Sequence, residues 1–439
     1  MTPTEKVASL LIFLAPAVVM TIPHGGDTCF FLLFILSLVL ITLKKQSPLK
    51  AEPPKKLEAA DYFIIAILVF PILAVLIGQL MRGGLHSPEF DAPSRILASC
   101  AIFFLLRNLA SGLTISPIVL IGLGASLGAL TLPLALSSER LTVVGGRFST
   151  DLSWPNDLGA YAGLLTMITL HLITSRSDSK LPRVVRTLFF LGLTCSLIAG
   201  AWVLTGAQSR GPWMATMISI GAIVAIRFAE PIAISRTKTM VGGGALLLGV
   251  TLMIATTPNL AQRIDSILQE PAAWAETRQE NSSAGQRLSM MIASLKLISL
   301  APSSGYGDFG YLEVACDEKF KTQYPEHYSN SLCAGSGPHN EILARGLQSG
   351  LWGVIATSFL LFGPILIFLQ ALRGSGESLS QRETAALGLV TSLHLAIICM
   401  FMEAYSIKFT ATFNALLLSV LFGELRRLQI RAGKTEESS

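Results

Sequence analysis

Apolar residues in this chain gather into runs close to the ~20 residues a helix needs to cross a bilayer. Twelve runs read as spans, near 7–23, 29–43, 62–81, 96–113, 117–136, 157–174, 187–204, 212–228, 239–256, 350–371, 385–402 and 409–425. Arg107 and Asn108 interrupt the stretch where the fourth gives way to the fifth. One long polar segment, 257–349, separates the ninth from the tenth. It is not featureless. Leu288, Met291, Ile292, Leu295 and Ile298 recur at helical spacing and predict an amphipathic helix lying on the membrane or on the span bundle, with Lys296 off the stripe. The stretch Ala301–Gly310 then breaks it, with glycines at 305, 307 and 310 that permit tight turns and close approach. An ordinary turn-rich loop reads the same way.

The fold class predicted is all-α: a polytopic membrane protein of about twelve spans, with a large outer loop that contains amphipathic helices. The chain divides into spans one to nine over 1–256, the loop 257–349, spans ten to twelve over 350–425 and a tail 426–439. Composition agrees. Of 439 residues 51% are hydrophobic and 14% charged, and mean hydropathy is +0.59. Soluble domains carry about 25% charged residues, so a soluble multidomain protein is excluded. The net charge of +5 does not signal nucleic acid, because the basic residues sit mostly in short connections. Lys6 followed by an apolar run resembles a signal peptide. No small-x-small cleavage site follows it, and the run is read as a retained span. No short-period repeat is present, the 373–384 connection reads as flexible, and the tail after Gly433 is polar.

Lys and Arg set the orientation. With both termini cytoplasmic, twenty basic residues fall inside and six outside once the long 257–349 segment is left out. Segments 257–349, 82–95, 137–156 and 205–211 then face outward, which in a bacterium is the periplasmic side of the inner membrane.

Candidate chemistry gathers on that side. In Gly335-Ser336-Gly337-Pro338-His339-Asn340-Glu341, Gly337 can cap a helix and Pro338 fits its first position, which puts His339 in the first turn. Helix dipole and free N–H groups there favour a neutral imidazole, able to act as a general base or simply to hydrogen-bond a loop carbonyl. Glu341 and Arg345 read as a helix-surface pair. Arg147, Arg210 and Arg287 stand near outer boundaries beside small residues. Guanidinium groups bind phosphate oxygens in two-pronged fashion, although a boundary Arg also snorkels to headgroups. The loop is slightly acidic, so an anion site must be local. Asp91 and Arg95, four apart, suit a structural pair. No outer Asp-x-Asp offers Mg²⁺ its usual carboxylates, and no Walker A, Rossmann or nucleophile-elbow motif appears in a suitable context. Cys29, Cys100, Cys195 and Cys399 lie in or beside spans. Cys316 and Cys333 share the loop, where an oxidising compartment would let them pair; two unrelated thiols are the other reading.

The order of these features resembles the bacterial O-antigen ligase and polymerase superfamily: Arg147, Ser209-Arg210-Gly211, Arg287, Pro302 with Gly305-Tyr306-Gly307, then His339-Asn340 with Leu343 and Gly350-Leu351-Trp352-Gly353. Asp91-Ala92-Pro93-Ser94-Arg95 leans toward the ligase branch. The resemblance implies a glycosyltransferase that moves a polysaccharide from undecaprenyl pyrophosphate to the lipid A–core oligosaccharide, inverting and without metal or other cofactor. It implies His339 as base, Arg210 and Arg287 as pyrophosphate ligands with Arg147 lining the same pocket, and Asn340, Asp91 and Arg95 in support. A polymerase or another lipid-linked oligosaccharide transferase shares the donor. A transporter or flippase fits the span count, but mid-membrane charges and repeated halves are missing from the pattern.

Overall fold

The computed structural model describes residues 3–46, 56–109, 113, 115–175, 183–229, 244, 251, 260–374, 378–406 and 408–437. Seventeen α-helices and no strand make up the described residues, as an all-α polytopic membrane protein requires. The first nine are α1 (Pro3–Val18), α2 (Gly25–Gln46), α3 (Ala59–Arg82), α4 (Asp91–Arg107), α5 (Pro117–Thr131), α6 (Ser138–Val143), α7 (Pro155–Thr174), α8 (Arg183–Gly206) and α9 (Arg210–Phe228). The long loop supplies α10 (Leu260–Thr277), α11 (Ser283–Leu300), α12 (Gly310–Ala315), α13 (Glu318–Gln323) and α14 (Asn330–Cys333). The chain then returns through α15 (Glu341–Gly374), α16 (Leu379–Cys399) and α17 (Lys408–Glu437).

Among the described residues, eight helices are long and apolar enough to cross a membrane: α2, α3, α5, α7, α8, α9, α15 and α16. α1 and α4, of 16 and 17 residues, are shorter than those eight and hold parts of the expected runs 7–23 and 96–113. The expected span 409–425 lies in α17, which is buried along Phe413, Leu416, Leu421 and Leu425 and continues into a polar end at Glu437. The expected span 239–256 falls almost entirely outside the described residues; of the connection expected to be flexible over 373–384 only 375–377 do, and 379–384 are the first turns of α16.

Boundaries follow local chemistry. Pro117 and Pro155 open α5 and α7, where a missing N–H costs nothing. Gly83, at φ 80°, closes α3. α7 packs on α5, α8 and α9 and is 89% buried, so it is the central post. α4 packs on α17, and α15 on α3 and α16. At the end of α3 away from the loop, Arg107 holds Asp61 through two nitrogens at 3.0 and 2.8 Å, and Arg426 reaches the same carboxylate at 2.9 Å. Three helices are thereby fixed together beneath the site.

α11 buries a different face from the predicted stripe. Met290, Ala293, Leu297 and Ile298 face inward with the small residues Gly285, Ser289 and Ser294, whereas Leu295 is 56% exposed. Small side chains let α11 lie close on α15, and this close fit outweighs the periodicity of the larger ones.

Candidate functional site

The site is built around a break in α15. Ser349 (φ −132°) and Gly350 (φ 64°) leave helical geometry, so backbone groups on either side lose their helical partners. The 302–307 turn replaces them. Tyr306 N–H donates to Leu347 O (2.7 Å), Gly307 N–H to Gln348 O (3.0 Å), and Leu351 N–H to Pro302 O (2.7 Å). Gly305 sits at φ 60°, and a Cβ there would come within 2.5 Å of the Gln348 carbonyl carbon. Arg82, at the end of α3, locks the arrangement by donating to Ser304 O and Gln348 O (2.7 Å each) and to Glu89 (2.6 Å). The Tyr306 hydroxyl ties the turn to Leu297 O of α11 (2.9 Å).

His339 stands just outside α15, not in its first turn. The helix begins at Glu341, and Asn340 is the cap, its Oδ1 accepting from Leu343 N–H at 3.1 Å. A side-chain cap at Asn340 displaces the expected start at Gly337. His339 itself adopts a left-handed backbone (φ 49°), and its N–H donates to Glu403 Oε1 (3.2 Å). Its pKa lies below the ordinary histidine value, first because it is buried and second because of the charge on Arg287. Neutral imidazole is therefore favoured, by burial and a neighbouring cation and not through a place inside the helix.

Glu403 belongs to the turn between α16 and α17. Burial, then the neighbouring Glu341, pushes its pKa up to about 7 against the pull of the His339 N–H and Arg345. The Glu341–Arg345 pair forms (2.9 Å) but is no surface pair. Glu341 is completely buried and accepts from Tyr405 N–H (2.8 Å), and Arg345 donates to Tyr405 O (2.8 Å). Together they clamp the turn that presents Glu403 to His339.

The arginines occupy distinct environments. Arg210 opens α9 and grips both oxygens of Glu270 from α10, at 3.0 and 2.6 Å, with Ser266 at 2.5 Å. This contact lowers the Glu270 pKa. Arg287, half-buried on α11, has no hydrogen-bond or ion-pair partner among the described residues. Its own pKa is lowered, first by burial and then by Arg210, yet a guanidinium stays charged at any ordinary pH. Arg210 and Arg287 line one small cavity with Asn156, Gly211, Phe401 and Met402. Arg287 bears electrostatically on both Arg210 and His339, so the three share one end of the bundle. Arg147 does not line that cavity. It donates to Ala207 O (3.0 Å), Asn156 (3.2 Å) and Ser209 (2.7 Å), and so holds the turn that leads into Arg210.

Arg95 pairs with Asp91 (3.1 Å), Asp27 (3.3 Å) and Thr412 (2.8 Å), joining α4 to α2 and α17. Asp91 also lines a second, larger cavity of about 470 Å³, together with Glu89, Asp308, Tyr311, Gly337 and Glu403. Cys316 and Cys333 are joined in a disulfide, with Cα atoms 5.5 Å apart.

Sequence reasoning missed Glu270, Tyr311, Asn156 and Glu403. Glu403 alone carried a visible signal, as a carboxylate inside the apolar stretch Ile397–Tyr405.

Helices able to cross a membrane, with a polar cluster built on loop helices at one end of the bundle, define a multi-pass membrane protein. Residues 193–358 match the family model described as O-antigen ligase, which supports membership in the O-antigen ligase family. The matched segment takes in Arg210, Arg287, His339 and the break in α15. An uncharacterized protein of Haemophilus influenzae (strain ATCC 51907 / DSM 11121 / KW20 / Rd) is 24% identical over 375 residues, covering 83% of this chain and 85% of the relative.

Proposed function

We propose that this protein is an O-antigen ligase of the bacterial inner membrane, with its site facing the periplasm. The donor is a polysaccharide on undecaprenyl pyrophosphate and the acceptor is the lipid A–core oligosaccharide. The observation that carries the reading is an imidazole whose pKa is lowered, first by burial and then by a guanidinium that has no partner among the described residues. In the reaction, His339 takes the proton from an acceptor hydroxyl. The freed oxygen attacks the anomeric carbon on the face opposite the leaving group, which inverts that centre. The bond from the anomeric carbon to the pyrophosphate oxygen breaks, and its electron pair leaves with undecaprenyl pyrophosphate. Arg287 and Arg210 stabilise the charge that builds on that leaving group, where preorganised donors are worth most. Arg147 acts one step back, by holding the 207–209 turn. The guanidinium charges fill the part a divalent metal plays elsewhere, so the reaction is metal-independent and a chelator leaves its rate unchanged. Two lipid-anchored substrates held in one cleft also gain from restricted orientation.

The test is transfer from purified lipid-linked glycan to lipid A–core, compared for wild type, His339→Ala and Arg287→Ala. Both variants should insert and fold but lose transfer by about 100-fold or more. Full transfer by well-folded His339→Ala protein removes the proposed base. A polymerase would instead extend glycan on the carrier and leave the core bare.

A further inference from the structure

The larger cavity differs in chemistry from the arginine pocket. Its volume of about 470 Å³ falls within the ~300–1,000 Å³ typical of small-molecule sites. Four carboxylates line it, Glu89, Asp91, Asp308 and Glu403, against one guanidinium, Arg345, which is already held by Glu341. Arg82 neutralises Glu89, and Arg95 pairs with Asp91. Asp308 accepts from Gln348 (2.5 Å) and Glu403 from the His339 N–H, and neither has a cation bound to it among the described residues. Such walls accept hydrogen bonds and repel anions.

Tyr311 supplies an independent sign that something binds here. Its side chain lies on the inner face of α12, packed in a cluster with Leu297, Leu332 and Leu347, and is only 5% exposed. Its hydroxyl nevertheless has no partner among the described residues and is open to the cavity. The side chain is buried while its hydroxyl is not sealed off, so the hydroxyl is left to bond whatever fills the cavity. Burial, then Glu403, pushes its pKa up to about 12, so it remains a donor at neutral pH. Phe309, 69% exposed at the rim, adds an aromatic face. A hydroxyl donor, carboxylate acceptors and an aromatic edge are the groups that recognise a polyol. Gly337, Pro338 and Glu403 line the cavity, and His339 follows Pro338 and donates its N–H to Glu403, so the cavity adjoins the backbone of the proposed base.

We propose that this cavity is the acceptor subsite, that it takes an uncharged sugar terminus, and that Tyr311 is the specificity-determining residue gripping one hydroxyl of that sugar. The inference rests on the ligase reading for the identity of its ligand. It divides the site by charge, with phosphate on the arginine side, neutral sugar on the carboxylate side and His339 between them.

The experiment uses the full chain in nanodiscs and two acceptors of the same skeleton, one lipid A–core ending in an uncharged hexose and one phosphorylated on that hexose. Acceptor binding is read by thermophoresis and transfer by product formation, for wild type, Tyr311→Phe and Asp308→Asn. Tyr311→Phe removes only the hydroxyl, which bonds nothing in the fold, so its thermal midpoint should equal that of wild type. It should weaken binding of the uncharged acceptor by about fivefold, the worth of one hydrogen bond, with donor KM unchanged. Wild type should bind the phosphorylated acceptor about tenfold more weakly, and Asp308→Asn should narrow that gap. Equal binding of the two acceptors, or unaltered binding by Tyr311→Phe, overturns the subsite. Selective binding without any transfer by wild type keeps the subsite and sinks the ligase reading instead.

Discussion

Arg210 and Glu270 form a two-pronged ion pair between the start of α9 and the loop helix α10, with nitrogen–oxygen distances of 3.0 and 2.6 Å. Glu270 Oε2 also accepts the Ala284 N–H at the start of α11 (3.1 Å), so one carboxylate fills two places suited to phosphate oxygens. In the proposed reaction a donor pyrophosphate has to displace it. Glu270→Gln keeps the shape and removes the charge, and donor KM should fall by about three- to tenfold with kcat little changed. A rise in donor KM would mean that Glu270 holds α10 in place and does not compete with the donor.

The pH dependence follows from His339. A general base works deprotonated, so the rate climbs as pH rises through its pKa and is level above. Because burial and Arg287 lower that pKa, the midpoint of the climb lies below the ordinary histidine value of about 6.5. Arg287→Gln removes the positive neighbour and should move the acid limb of kcat/KM upward, on top of its overall loss of rate. A limb that stays at the same pH in the variant would show that burial alone sets it.

The membrane character of the chain was legible because lipid imposes a single long apolar period. The site was only half legible. Arg210, Arg287 and His339 announce themselves as polar groups at membrane boundaries, but the sequence says nothing about who neutralises whom. Glu270 lies 60 residues from Arg210 along the chain and Glu403 lies 64 from His339, distances that only tertiary packing closes. Arg147 is a further case: its partners Asn156, Ala207 and Ser209 lie on α7 and in the turn after α8. The start of α15 was placed at Gly337, three residues before Asn340, whose side chain caps the helix. The stripe on α11 failed where small residues, invisible to a hydrophobic period, set the closest approach.

The disulfide between Cys316 and Cys333 links the end of α12 to α14, and so braces the wall that carries Tyr311. A link closing a sequence separation of 17 residues is worth about 3 kcal/mol in the chain-entropy account. Replacing both cysteines by serine should speed proteolysis within 310–335 and raise acceptor KM more than donor KM. An equal rise in both would place the brace under the whole loop and not under one cavity wall.

Two glycines in the turn before His339 separate backbone strain from side-chain contact. Gly335 (φ 78°) and Gly337 (φ 68°) are both left-handed, and alanine at either costs about 1–2 kcal/mol. A Cβ on Gly335 meets nothing within 4 Å, whereas one on Gly337 falls 2.5 Å from Glu403 Oε1, the atom that accepts the His339 N–H. Both substitutions should therefore lower the thermal midpoint to a similar extent. Gly337→Ala alone should also shift the carboxylate and the imidazole turn, cutting kcat by about tenfold with donor KM unchanged, as a misplaced base does. Equal loss of kcat in the two variants would assign the effect to backbone strain and leave the Glu403 contact without a part in placing His339.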